Sequence, residues 1–283
     1  MSNLQITVGD VTLNRLGFGA MRITGPGIWG EPDNVDNALA VLKRAVELGV
    51  NFIDTADAYG PRVSEELIAR ALYPYDGLVI ATKGGLVREG PGIWKPNCSS
   101  EHLREACEAS LSRLKIDVID LYQLHTVDPE VSFEESYKTL LELQKEGKIR
   151  HIGLSNIEPE HFEAALQMGK FVSVQNNYNV FNREHEDVLR LCEANDIAFI
   201  PYFPIAGDGP DKVDTELLNR IASNHQASSR QVALAWLLNH SDHILPIPGT
   251  SSISHLEENL GSLKLQLDGQ EVSQLDAMSS NVS

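Results

Sequence analysis

Eight short apolar runs, each followed by an amphipathic helical stretch, constrain the fold of this chain more than any other feature. Strands that alternate with helices lie parallel and are joined by right-handed crossovers. Eight such units close most simply into a (β/α)8 TIM barrel, and 283 residues fit one such domain spanning 1–283. An open doubly wound sheet is the alternative. No G-x-G-x-x-G motif follows the first run, which argues against it.

An N-terminal β-hairpin is predicted ahead of the barrel, because residues 4–13 are two β runs separated by Gly9-Asp10. The predicted barrel strands are 16–19, 51–53, 78–82, 118–124, 151–154, 172–174, 197–200 and 244–247. Periodicity and caps predict helices over 35–48, 64–72, 99–114, 184–194, 213–223, 229–238 and 270–278, with others beginning near Ser132 and Pro159 and after the eighth strand.

The charge and cysteine content exclude several kinds of partner. The formal net charge of −17 makes nucleic acid and anionic membrane surfaces poor partners. The three cysteines form no close-spaced pair, so neither a disulfide framework nor a metal site is expected. Because no apolar run could span a bilayer and the N-terminus has no targeting pattern, we expect a cytoplasmic protein.

Four reactive side chains follow three neighbouring predicted strands. Asp54 and Tyr59 follow the second strand, Lys83 the third and His125 the fourth. Since the carboxyl ends of barrel strands meet at one rim, we expect these side chains to converge. Asp57, in the same loop as Tyr59, is interpreted as a hydrogen-bonding loop residue.

Together these side chains suit the protonation of an oxygen. A Lys83 ammonium favours the Tyr59 phenolate and predicts a lowered pKa for the phenol, while Asp54 keeps the lysine charged. A neutral His125 could orient and polarise a substrate carbonyl. This is half of a carbonyl reduction, and the hydride must come from a cofactor such as a nicotinamide.

The whole chain resembles the aldo-keto reductase superfamily. The resemblance rests on GFGAM at 17–21, DTADAYG at 54–60, TK at 82–83, LHTVD at 124–128, GLSN at 153–156, Gln175, and IPGTSS at 247–252. It implies that Tyr59 is the acid/base, that Lys83 tunes it, and that Asp54 holds Lys83. His125 is then expected to orient the carbonyl.

The resemblance also implies a bound nicotinamide dinucleotide. Ser155, Asn156 and Gln175 are expected to hydrogen-bond its carboxamide, and Tyr202 to stack on its ring. Phosphate groups are expected near loop 203–207 and near a hydroxyl-rich helix N-terminus after the eighth strand. The predicted cofactor residues are Gly19, Ala20, Met21, Asp54, Ser155, Asn156, Gln175, Tyr202, Phe203, Pro204, Ile205, Gly207, Gly249, Thr250, Ser251, Ser252, His255, Glu258 and Asn259.

Two positions depart from the family pattern and bear on the choice of nucleotide. Many members have a lysine where this chain has Gly249 and an arginine where it has His255. Those cations hold the 2′-phosphate of NADP(H). Neighbouring hydroxyls and a protonated His255 can substitute for them, so NADP(H) is predicted and NAD(H) is less favoured.

The predicted substrate is a small aldehyde or ketone. The predicted pocket contains Trp29 and Trp94, from Gly/Pro-rich loops after the first and third strands, together with Tyr59 and His125. Three turns are similar to those of bacterial members that reduce pyridoxal, which makes pyridoxal a candidate. A nucleotide-sensing subunit with little turnover is the alternative. The family implies a monomer.

Overall fold

Parallel strands close into a barrel in the computed structural model, which describes residues 4–206 and 215–278. The strands are β1 Gln5–Val8, β2 Val11–Asn14, β3 Phe18–Gly19, β4 Phe52–Asp54, β5 Val79–Gly84, β6 Leu86–Gly90, β7 Ile93–Pro96, β8 Ile119–Leu124, β9 Ile149–Ser155, β10 Ser173–Gln175 and β11 Ala198–Phe199. One seven-stranded sheet has the order β11, β10, β9, β8, β5, β4 and β3, with every neighbouring pair parallel.

The eighth predicted strand, 244–247, closes this sheet into a ring. On one side Leu245 N–H donates to the Phe199 carbonyl at 2.9 Å, and on the other Gly17 N–H donates to the Pro246 carbonyl at 2.9 Å. The segment makes a single parallel bridge, between Phe199 and Ile244, instead of a ladder. Pro246 and Pro248 explain this, because proline has no N–H to donate to a neighbouring strand. The predicted (β/α)8 barrel is confirmed.

Helices follow the strands around the barrel. They are α1 Val35–Glu47, α2 Val63–Leu72, α3 Ser100–Leu114, α4 Phe133–Lys145, α5 Pro159–Met168, α6 Glu186–Ala194, α7 Glu216–Asn224, α8 Ser229–His240, α9 Ile253–Gly261 and α10 Gly269–Asp276. The predicted start of α7 at residue 213 lies outside the described residues. Among the described helices, none has the length and apolar character that crossing a membrane requires.

The amino ends of the strands are tied by the predicted hairpin and by a buried arginine. β1 and β2 pair antiparallel, which confirms the N-terminal hairpin. Arg15 follows the hairpin, is fully buried, and donates to the carbonyls of Leu238 and Ser241 at 3.0 and 2.6 Å. It therefore joins the start of the first barrel strand to the segment that leads into the eighth.

A second hairpin stands at the opposite rim, where the sequence predicts only a loop. β6 and β7 pair antiparallel directly after β5, and Pro91-Gly92 turns the chain between them. Gly92 has a φ of +71°, which glycine adopts without steric cost. The prediction of a loop was wrong here because the glycine and proline content of the segment masks its two short β runs.

Candidate active site

The structure brings the four predicted catalytic side chains together at the carboxyl ends of β4, β5 and β8. Parallel pairing sets Asp54 beside Ala81 and Lys83 beside Gln123. The buried Lys83 Nζ donates to Asp54 Oδ2 at 2.7 Å and to the Thr55 carbonyl at 2.9 Å, and it lies 3.5 Å from Tyr59 Oη. The ammonium is therefore close enough to stabilise charge on the phenol.

Two amides on the barrel interior hold the other oxygen of Asp54. Gln123 Nε2 and Gln175 Nε2 donate to Asp54 Oδ1 at 3.0 and 2.9 Å. Sequence reasoning missed Gln123. Side chains alternate along a strand, so Gln123 points to the same side of β8 as a residue two positions on, and His125 is that residue. The alternation could have identified it.

The predicted lowering of the Tyr59 pKa is wrong for this structure. Burial raises the pKa of the Tyr59 phenol, and the opposing effect of the Lys83 ammonium does not overcome it. Burial also lowers the pKa of Lys83, but the Asp54 carboxylate and Tyr59 outweigh burial and leave it raised. At neutral pH the site thus holds a protonated phenol beside an ammonium, which is the state that a proton donor requires.

His125 is buried close to the phenol and is neutral. Its ring centroid lies 5.8 Å from that of Tyr59 in an edge-to-face arrangement. Burial, reinforced by the Lys83 charge, holds the pKa of His125 well below its usual range. Its Nδ1 atom is buried and has no hydrogen-bond partner among the described residues. A neutral imidazole with one N–H can direct that donor at a substrate oxygen.

The predicted carboxamide and stacking residues form a connected group beside these four. Asn156, with a φ of 54°, donates from Nδ2 to the His125 carbonyl at 2.9 Å. It accepts from Tyr202 Oη at 2.8 Å. Ser155 Oγ donates to the Gln175 carbonyl at 2.7 Å. These contacts fix the polar groups before any ligand binds, and the amide of Asn156 spans His125 and Tyr202.

One cleft, open to solvent, is lined by three of the four catalytic candidates, Asp54, Tyr59 and His125, whereas Lys83 is fully buried and does not line it. It is lined by Gly19, Met21, Arg22, Asp54, Tyr59, Leu86, Trp94, His125, Ser155, Asn156, Gln175, Tyr202, Phe203, Pro204, Ile205, Ala206, Ile247, Pro248 and Gly249. Of the predicted cofactor residues, those that lie away from its lining are Ala20, Thr250, Ser251, Ser252, His255, Glu258 and Asn259. Gly207 lies outside the described residues.

The two predicted pocket tryptophans have different positions. Trp94, on β7, lines the cleft and lies edge-to-face with both Tyr59 and His125, at 6.3 and 6.4 Å between ring centroids. Trp29 is not among the lining residues, contrary to the prediction. It lies instead beside Arg88, 5.7 Å from ring centroid to guanidinium carbon. The parallel bridge between Trp29 and Gly60 fixes its backbone beside the Tyr59 loop.

Beyond the cleft, α9 begins with a run of hydroxyl side chains. The Ser252 hydroxyl caps this helix by accepting from the His255 N–H, and the Thr250 hydroxyl accepts from the Ser252 N–H. Further along α9, the buried Asn259 Oδ1 has no partner among the described residues. A helix N-terminus and an unsatisfied buried amide oxygen suit the phosphates and amino groups of a dinucleotide. The residues present therefore fit such a cofactor.

Gly249 lies at the entrance to that region and is in close backbone contact with Gly19. A Cβ atom on Gly249 would lie 2.5 Å from the Gly19 carbonyl oxygen. A Cβ on Gly19 would lie 2.6 Å from the Ile247 carbonyl oxygen. Both distances are shorter than real Cβ contacts, so the barrel closes here through two glycines.

Asp57 does not behave as the simple loop residue that was predicted. Although the residue as a whole is only half-buried, its Oδ1 atom is inaccessible and has no hydrogen-bond partner among the described residues. Burial and the nearby Glu65 raise the pKa of the Asp57 carboxyl to about 8. At neutral pH this carboxyl is therefore largely protonated, and it adds little negative charge beside Tyr59 and Lys83.

A barrel of this kind, with an acid, an ammonium and a neutral imidazole at its rim, defines a class of nicotinamide-dependent oxidoreductases that act on small carbonyl compounds. The chain belongs to the aldo/keto reductase family, whose model matches residues 15–280. This confirms the resemblance, and with it an NAD(P)H-dependent oxidoreductase.

Relatives and solved structures support this assignment over almost the full length of the chain. An uncharacterized oxidoreductase of Schizosaccharomyces pombe is 48% identical over 271 residues, which are 96% of this chain and 88% of the relative. Pyridoxine 4-dehydrogenase of Escherichia coli is 41% identical over 286 residues, 99% of each chain. An aldo-keto reductase from Klebsiella pneumoniae in complex with NADPH has a TM-score of 0.84 at 27% identity, covering 99% and 96% of the two chains.

Proposed function

We propose that this protein reduces aldehydes or ketones to alcohols with NADPH, and that Tyr59 gives the proton. The observation that carries the proposal is the distance of 3.5 Å from Lys83 Nζ to Tyr59 Oη, since Tyr59 lines an open cleft together with His125. A bound reduced nicotinamide supplies the hydride. Every other step falls to side chains of this chain.

The side chains divide the work by position. The His125 N–H orients the substrate oxygen toward the Tyr59 hydroxyl, and Tyr59 gives its proton to that oxygen as negative charge develops there. Lys83 stabilises the resulting phenolate, and Asp54 holds Lys83 in place. Ser155, Asn156 and Gln175 would hold the carboxamide and Tyr202 would support the ring, so that the reacting faces stay aligned.

Replacing Tyr59 with phenylalanine tests the proposal, because it removes the proton donor and keeps the ring that fills the site. We expect kcat for carbonyl reduction to fall by about 10²- to 10⁴-fold. The Kd for NADPH, measured by quenching of protein fluorescence, should change less than about threefold. Turnover equal to that of the unmodified enzyme would refute the role of Tyr59. Tight NADPH binding without turnover of any carbonyl in the unmodified protein would favour the nucleotide-sensing alternative.

Pyridoxal is the substrate that we propose to test first. The 41% identity to the Escherichia coli pyridoxine 4-dehydrogenase over 99% of both chains supports it, together with an aromatic-lined cleft that suits a flat ring. Values of kcat/KM for pyridoxal, benzaldehyde and propanal, each with NADPH and with NADH, test substrate and nucleotide together. Equal values for pyridoxal and propanal would remove pyridoxal as the preferred substrate, and faster turnover with NADH would overturn the choice of NADPH. A single domain, a monomer and a cytoplasmic location stay predictions.

A further inference from the structure

Arg88 on β6 contacts three separate segments around the cleft and touches none of the four catalytic candidates. Its guanidinium donates five hydrogen bonds, to the carbonyls of Gly27, Ile28, Ala58, Gly90 and Ile93 at 2.9 to 3.4 Å. Gly27 and Ile28 belong to the 25–30 turn, Ala58 precedes Tyr59, and the other two lie in the β6–β7 hairpin. One side chain thus connects the hairpin to the loop that carries the proposed proton donor.

The same guanidinium lies against two indole rings. Its central carbon is 3.7 Å from the Trp94 ring centroid and 5.7 Å from that of Trp29. An arginine in contact with an aromatic face is held there by cation–π attraction and by dispersion. Because Arg88 lies over one face of Trp94, it restrains the indole. The indole is held at the cleft wall, edge-to-face with both Tyr59 and His125.

Other contacts show that the 25–30 turn and the β6–β7 hairpin pack against each other. Gly92 N–H donates to the Gly27 carbonyl at 3.3 Å, and Gly30 N–H donates to the Gly60 carbonyl at 2.7 Å. A Cβ on Gly27, which has a φ of +67°, would lie 3.1 Å from Pro91 Cβ. The hairpin tip and the turn therefore meet directly, and Arg88 donates hydrogen bonds to both.

We propose that Arg88 is a positioning residue for substrate selection: it fixes the Trp94 indole as one wall of the pocket, against which flat aromatic carbonyl compounds bind. The proposal rests on the proposed reduction of aldehydes and ketones. Arg88 does not line the cleft, and it acts through Trp94. Substrates too small to reach the indole do not depend on it.

Variants at Arg88 and Trp94, alone and combined, test the proposal with benzaldehyde and propanal as substrates and NADPH as cofactor. We expect Arg88→Ala and Trp94→Ala each to raise the KM for benzaldehyde about tenfold, because a shifted wall no longer fits the ring. The KM for propanal and the Kd for NADPH should change less than about twofold. Arg88→Lys keeps the charge but lacks the planar fork, so it should recover only part of the loss.

The combined variant separates positioning from a merely structural role. If Arg88 acts through Trp94, then Arg88→Ala adds less than about twofold to the benzaldehyde KM once Trp94 is alanine. If Arg88 had a structural role independent of Trp94, Arg88→Ala would still raise the benzaldehyde KM of the Trp94→Ala variant. An additional tenfold rise in that KM would overturn the proposal. Lys95→Ala is the matched control, because it removes a positive charge from an exposed side chain on the same hairpin, and its benzaldehyde KM should stay unchanged.

The outcomes for substrate selection and for catalysis can be told apart. An unmodified enzyme inactive on pyridoxal, benzaldehyde and propanal alike would refute the proposed function. An active enzyme whose benzaldehyde KM is unaffected by Arg88→Ala would refute only the role of Arg88. Equal losses for benzaldehyde and propanal would also refute it, since they would mean that the whole site had moved.

Discussion

Among residues 4–206 and 215–278, Lys83 and Arg15 are fully buried cations near opposite ends of the barrel, and they are held in different ways. Lys83, at the carboxyl ends of the strands, is 0% exposed and pairs with Asp54, whose side chain is 2% exposed. Arg15, at the amino ends, is also 0% exposed, but its carboxylate partner Asp242 is 74% exposed. It also donates to backbone carbonyls, among them those of Leu238 and Ser241.

The difference shows why burial of a charge does not by itself identify a functional site. Backbone carbonyls do not titrate, so these contacts of Arg15 join two segments of the chain and take no part in proton transfer. Lys83 lies between the Asp54 carboxylate and the Tyr59 phenol, which both line a cleft, and its charge opposes the effect of burial on the pKa of the phenol. A buried cation therefore indicates chemistry when its neighbours titrate and face open space.

Removing the charge of Lys83 should give the largest effect. In Lys83→Met, kcat should fall about 10²- to 10⁴-fold, because the phenolate left after proton transfer has no ammonium beside it. The folded protein should also lose about 3–5 kcal/mol, since Asp54 is left buried and unpaired. The double variant Lys83→Met/Asp54→Asn should regain most of this stability, measured by urea unfolding, and none of the activity. Restored turnover in the double variant would contradict the catalytic role of the Lys83 charge, which is what distinguishes Lys83 from Arg15.

Removing the charge of Arg15 should affect stability alone. Arg15→Met leaves several buried carbonyls without a donor, which should cost about 3–5 kcal/mol of unfolding free energy. The kcat of the folded fraction should match that of the unmodified enzyme. Asp242→Asn is the control, because an exposed ion pair contributes less than about 1 kcal/mol. A tenfold fall in kcat for Arg15→Met would contradict a purely structural role.

Asp57 extends the comparison of buried charges to a carboxyl group, since it lies near Lys83 but forms no ion pair with it. The pKa of its carboxyl is raised to about 8 in the folded protein. The unfolded chain loses this proton near its ordinary pKa of about 3.9, so the folded state binds more protons between these values and stability falls as pH rises. Asp57→Asn removes the titrating carboxyl and with it this fall in stability. Because the residue is partly exposed, we expect the variant to gain about 1–3 kcal/mol at pH 8 relative to pH 5.

Urea unfolding of both proteins at the two pH values measures this gain. Glu66→Gln is a matched control, because it removes a carboxylate from an exposed position on α2, and its stability relative to the unmodified protein should not depend on pH in this range. A variant at Asp57 whose relative stability is the same at both pH values would mean that the carboxyl is already ionised at pH 5.

The convergence of the four catalytic candidates could be predicted from the sequence, because it follows from topology. Residues placed directly after parallel barrel strands must face one rim, wherever they lie along the chain. The pKa of Tyr59 could not be predicted in the same way. The direction of the pKa shift depends on how far burial opposes the effect of the Lys83 charge. The burial of a loop residue is set by packing that no local sequence pattern encodes.

Arg88 and the hairpin that carries it also escaped prediction. The guanidinium binds only backbone carbonyls and ring faces among the described residues, so no complementary charge in the sequence marks its partners. The expectation for Trp29 failed for the same reason, since its ring lies against Arg88 and not in the cleft. Gln123, by contrast, lay within reach of the simple alternation of side chains along β8.

The seam between Gly19 and Gly249 limits how nucleotide preference can be re-engineered. Introducing the lysine that many family members carry at position 249 would force its first side-chain carbon against the backbone across the seam, so the ring itself would have to widen. Position 255 is exposed at the start of α9 and has no such restriction. A side chain introduced to bind a 2′-phosphate must therefore lie on α9. Substitutions there can change the selectivity between the two dinucleotides without disturbing the closure of the barrel.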